Sequence, residues 1–120
     1  MKDIKELTVD YFNAFASKNE DQLKEMYADD FSLRDWLAEA KGKDKVLDLN
    51  KQFFGAYSDF ELEVLETYID GNVSVSEIAI TLKDATPGES LTGKKVLLVV
   101  DVIEFSEEGK MNALRAYFGN

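Results

Sequence analysis

Residues 60–83 read FELEVLETYIDGNVSVSEIAITLK. Phe60 to Ile69 is one strand-like run, rich in apolar and β-branched side chains. It closes on Asp70-Gly71-Asn72, and Val73 to Lys83 resumes the same character. An Asp-Gly turn between two such runs is a hairpin signal, because glycine supplies the positive φ that tight turns between twisted strands require. Residues 84–94 hold the single proline, Pro87, with Gly88 and Gly93, and are expected to form a loop. Lys95 to Phe105 is the most hydrophobic run. Ser106-Glu107-Glu108-Gly109-Lys110 turns it into a last strand, Met111 to Phe118.

Upstream the period changes. Over residues 4–17, Ile4, Leu7, Tyr11, Ala14 and Phe15 recur at helical spacing with Phe12 beside them, so Tyr11 falls in the apolar stripe. Asn19, with Gln22 three residues on, is a capping box for a second helix. That helix buries Leu23, Met26 and Tyr27 and ends near Asp29-Asp30. A short alternating stretch follows. Phe31, Leu33 and Asp35 share one face, and Ser32, Arg34 and Trp36 the other. Gly42-Lys43-Asp44 opens a third helix, with Val46, Leu49, Asn50, Phe53 and Phe54 on its inner face. Three helices, one short strand and four long strands in hairpin order predict a single α+β domain over residues 1–120. Its helices pack on one face of a curved antiparallel sheet, around an apolar pocket that contains carboxylic acids.

Composition removes several chemistries. The chain has no Cys and no His, so thiolate nucleophiles, serine–histidine triads and zinc sites built on those residues are excluded. The paired acids do not follow a metal-loop pattern, and no metal or other cofactor is expected. Acid–base work falls to Asp, Glu, Tyr or Lys. A net charge of −10, from 24 acidic and 14 basic residues, disfavours nucleic acid and anionic lipid. The longest apolar run, Val96 to Val100, is too short to span a bilayer. Met1 to Leu7 reads as a helix start and not as a secretory signal, which predicts a cytoplasmic protein.

The 95–105 strand is informative twice. Leu97, Val99, Asp101, Ile103 and Phe105 share a face that is apolar except for Asp101, and an unpaired carboxyl there is costly. The opposite face, Val96, Leu98, Val100, Val102 and Glu104, is mostly apolar as well. A sheet apolar on both faces needs two covers. Helices supply one; a second copy of the chain, packed sheet face to sheet face, is the expected other.

The residues Tyr11, Tyr27-Ala28-Asp29-Asp30-Phe31-Ser32-Leu33-Arg34-Asp35, Gly42, Asp101 to Phe105, Glu108-Gly109-Lys110-Met111 and Ala116-Tyr117-Phe118 resemble the SnoaL-like group of the nuclear transport factor two-like superfamily. Within that group the resemblance is to ketosteroid isomerase. It implies a cone-shaped, cystatin-like α+β barrel. It also implies roles: Tyr11 as an oxyanion-hole tyrosine, Asp35 as the catalytic base, Asp101 as a protonated partner in the oxyanion hole, and Phe118 as a pocket aromatic. Tyr27, Trp36, Asn50, Phe54 and Val99 complete the expected substrate pocket. Two positions depart from the isomerase pattern: Trp36 stands where proline is usual, and Asn50 where some members carry a supporting tyrosine. Epoxide hydrolase chemistry of the limonene type would need an arginine at position 99, which is Val99. Scytalone dehydratase chemistry would need histidines.

The resemblance thus implies proton transfer alpha to a carbonyl of an apolar small molecule. Each residue has a plainer alternative. Tyr11 fits a core tyrosine, Asp35 a strand-end residue capping a turn. Two other functions stay open: a non-catalytic ligand-binding or dimerisation module, and a SnoaL-like polyketide cyclase.

Overall fold

The computed structural model describes residues 2–83 and 96–119. Asp3 starts the first helix, α1 (Ile4–Ala16), by accepting the Glu6 backbone N–H at 2.8 Å. Asn19 caps α2 (Glu20–Met26) in the same way through Gln22 N–H. The second helix stops earlier than its apolar spacing suggested. Tyr27 is not its last turn but the first residue of β1 (Tyr27–Arg34). A second, three-residue strand, β2 (Glu39–Lys41), precedes α3 (Lys43–Ala56), so two strands stand where the sequence suggested one. The long strands are β3 (Phe60–Asp70), β4 (Val73–Leu82), β5 (Val96–Phe105) and β6 (Met111–Phe118). Gly71 makes the β3–β4 turn at φ +59°. The expected loop at 84–94 and the strand start at Lys95 lie outside the described residues.

The six strands form one open, curved sheet in the order β2-β1-β6-β5-β4-β3. Every neighbouring pair is antiparallel except β1 and β6, which run parallel. The sheet is therefore mixed where the sequence suggested antiparallel pairing throughout. Alternation of side chains reports which face a residue occupies, not which strand lies beside it. A parallel partner reached through a long connection leaves no mark in that pattern.

Helices α1 and α3 lie over the inner sheet face. Burial there follows the pleat: Ile78, Ile80 and Leu82 on β4, and Leu97, Val99, Ile103 and Phe105 on β5, are all buried. Aromatic rings fill the space between α1, α3 and the start of β3. Phe15 sits 5.0 Å from Phe54 and 5.6 Å from Phe53, centroid to centroid. On the outer face Val96, Leu98 and Tyr117 remain 40–48% exposed. Among the described residues no helix is long and apolar enough to cross a membrane.

Candidate active site

A row of polar side chains crosses the inner face of the sheet. On β5, Asp101 pairs with Ser76 of β4 on one side and with Ala116 of β6 on the other. The last β1–β6 pair is Arg34 with Arg115, so Asp35, one residue on, leaves the strand beside Ala116. Adjacent strands are ~4.8 Å apart, which puts the backbones of Asp35 and Asp101 roughly 10 Å apart with only a methyl group between them. On the far side, Ser76 and Thr67 share a hydrogen bond of 2.9 Å between their hydroxyls. Thr67 reaches that face because a bulge between Val64 and Glu66 shifts the parity of β3.

Asp101 is 5% exposed. Burial, and then the charge of Asp35, push its carboxyl up from 3.8 to about 7. Tyr11, 4% exposed on α1, is raised well above the ordinary phenol value, first by burial and then by the fields of Tyr27 and Asp101. It stays protonated and a donor at any working pH. Neither the Tyr11 hydroxyl nor the Asp101 carboxyl hydrogen-bonds another described residue, so both are available to a ligand.

Asp35 does two things. Its Oδ1 accepts the backbone N–H groups of Leu37 at 2.7 Å and Ala38 at 2.8 Å, and its own N–H donates to the Ala38 carbonyl at 2.9 Å. It thus closes the four-residue turn between β1 and β2, as the plainer alternative held, while also lining the cavity. The turn changes the placement of Trp36. Strand alternation assigned it to the face opposite Asp35, but β1 has already ended, and Trp36 turns inward to line the same cavity. Its ring packs on Phe118 at 5.4 Å, and the cavity that it lines also meets both acids.

The cavity has a volume of about 120 Å³. Tyr11, Asp35 and Asp101 all line it, and so do Trp36, Asn50 and Val99. Tyr27, Phe54 and Phe118 do not. Tyr27 lies behind Asn50: its ring stacks on Phe31 at 4.3 Å and its hydroxyl accepts the Asn50 amide at 2.7 Å. Phe54 belongs to the neighbouring aromatic cluster, against Phe15 and Phe60. Phe118 is screened by Trp36. The sequence reading missed Ala116, whose small side chain opens the floor, and the walls supplied by Phe12, Phe53, Leu62 and Ile80. Strand register, which one sequence does not disclose, was the signal needed to place Ala116 between the acids. Among the described residues no Lys or Arg lines the cavity. Among the described residues no group of acids is placed to hold a metal ion.

With this geometry in hand, comparison with known proteins is informative. No curated protein matches the sequence. Solved structures share the fold at low identity. A proposed SnoaL-like polyketide cyclase from Shewanella denitrificans superposes with a TM-score of 0.81 at 15% identity, covering 97% of this chain and 90% of the other. For a proposed ketosteroid isomerase from Kribbella flavida the values are 0.79, 18%, 98% and 78%. For an LEH-like epoxide hydrolase from M. tuberculosis they are 0.75, 18%, 95% and 80%. The family model of the SnoaL-like domain matches residues 8–114, which takes in the helices, the turn at Asp35 and the strand of Asp101, and the chain belongs to that family.

Proposed function

We propose that this chain catalyses a proton shift alpha to a carbonyl in a neutral, mostly apolar small molecule. The observation that carries the reading is the arrangement around Ala116: a turn-held carboxylate on one side, a buried carboxyl poised near neutrality on the other, and the Tyr11 hydroxyl facing the same space. Two carboxyls whose environments differ can divide acid and base roles between them; the handling of ketosteroids by an isomerase is a known instance.

Oδ1 of Asp35 is engaged by two backbone amides, so Oδ2 is the oxygen that moves the proton. It takes H⁺ from the carbon alpha to the carbonyl. The C–H pair flows into a C=C bond, and the carbonyl pair onto oxygen. That oxygen accepts hydrogen bonds from Tyr11 and from protonated Asp101, whose donors match the charge as it develops. Asp35 then returns the same proton to the gamma carbon, which conjugates the double bond. Nothing is oxidised, and no water or cofactor is consumed.

The test is conversion of a β,γ-unsaturated ketone to its conjugated isomer, followed by ultraviolet absorbance. Wild type turns the ketone over, and Asp35→Asn loses about 100-fold or more, the lower bound for one general acid–base group. If the ketone binds both proteins equally and neither converts it, the pocket is a binding module and the proposal fails.

A further inference from the structure

We infer that the site is built for neutral ketones with a single ring, and that Trp36 sets this limit. The inference rests on the proposed reaction for the carbonyl, and on the cavity itself for size and charge.

Size comes first. An apolar protein cavity of ~150 Å³ accommodates benzene. At about 120 Å³ this one is slightly smaller than that, on the scale of a single small ring and well below a fused four-ring nucleus. The ring meets Phe15, Leu49, Phe53 and Ile80, while its oxygen reaches Tyr11 and Asp101. The indole of Trp36 occupies the end nearest Phe118 and packs on that ring. Charge comes second. Among the described residues two carboxyls line the cavity and no cation does, so a ligand carboxylate or phosphate would be buried beside like charge without a described partner. Polarity comes third. Tyr11 and neutral Asp101 are both donors without internal acceptors, which selects a ligand that offers an acceptor oxygen.

Trp36 is the only tryptophan in the sequence, so its fluorescence reports occupancy directly. The experiment titrates wild type at pH 6, where Asp101 is protonated and a free carboxylic acid is not, with cyclohexanone, with cyclohexanecarboxylate and with a saturated four-ring ketosteroid. Calorimetry serves as the second readout, and as the sole one for variants at Trp36. Conversion of cyclohex-3-enone is followed separately. Cyclohexanone is expected to saturate the site, the carboxylate to bind about tenfold more weakly or worse, the equivalent of ~1.4 kcal/mol, and the steroid not to saturate it. Trp36→Ala is expected to admit the steroid, and Ala116→Leu to abolish cyclohexanone binding by filling the gap between the acids. Wild-type binding of the steroid at concentrations equal to or below those for cyclohexanone overturns the size limit, whatever the variants do. Failure of cyclohexanone to bind overturns the inference outright. If cyclohexanone binds but cyclohex-3-enone is not converted, the catalytic reading falls while the size and charge limits stand.

Discussion

At the scale of single residues, Asp101 concentrates the consequences. Its protonated form is favoured by the fold, because the unfolded chain offers an ordinary carboxyl at 3.8 and the folded one a carboxyl at about 7. Between those values the folded state holds a proton that the unfolded state has released. Stability from this residue is therefore greatest below pH ~4 and is lost as pH rises to ~7, a swing on the order of 4 kcal/mol. Asp101→Asn should remove that dependence: compared with wild type by urea denaturation, it gains relative stability steadily from pH 4 to pH 7 and no further above. Catalysis should share the limb, falling about tenfold per pH unit above pH ~7 as the donor ionises; a flat rate to pH 9 would show that Asp101 is not a donor in the reaction. A second residue-scale prediction concerns Asn50 and Tyr27. Asn50→Leu strips the donor from a buried phenol and should cost about 1–3 kcal/mol, part of which Tyr27→Phe restores in the double variant, since removing both partners leaves nothing unsatisfied. Asp101 was legible in the sequence because a carboxyl among Leu97, Val99, Ile103 and Phe105 breaks an otherwise apolar face. Tyr27 was legible as buried, but its place behind Asn50 was not, because helix and strand both bury it and only the strand turns it away from the cavity.

At the scale of elements, the turns did most to fix the geometry. Gly71 adopts φ +59°, and a Cβ built there meets nothing within 4 Å. Gly71→Ala should therefore cost about 1 kcal/mol from the backbone alone, with Gly71→Asn milder, as measured by thermal or urea unfolding. That turn was readable from Asp70-Gly71-Asn72. The turn at Asp35 was readable only as an alternative. Its two hydrogen bonds to Leu37 and Ala38 end the alternation of β1 and bring Trp36 inward, so extending period two by a single residue placed the indole on the wrong face. The bulge in β3 escaped for a similar reason: Leu62 and Thr67, an odd number apart, both end on the inner face, and nothing in their identities announces the extra residue.

At the scale of the whole molecule, the outer sheet face is apolar and partly exposed at its described residues. Val96, Leu98 and Tyr117 are substantially exposed, with Val100 and Val102 beside them on the same face of β5. We propose that a second copy of the chain covers this face. Sedimentation equilibrium should give twice the mass of one chain, and Val100→Glu should halve it while leaving the secondary structure unchanged by circular dichroism. A wild-type monomer at all concentrations would refute the pairing. The layers of the fold were legible because they follow from which faces are apolar. The strand order was not, because it depends on partners far apart in sequence.

That order has a consequence for how the site comes into being. β6 is made after the other eight described elements, yet it lies between β1 and β5 in the sheet. Until it arrives, the sheet exists as two separate pieces, one carrying Asp35 and the other Asp101, and the two acids have no common space. Synthesis therefore keeps the pocket in halves until β6 emerges. A nascent chain halted before Met111 would hold both Asp35 and Asp101 and none of the geometry that joins them.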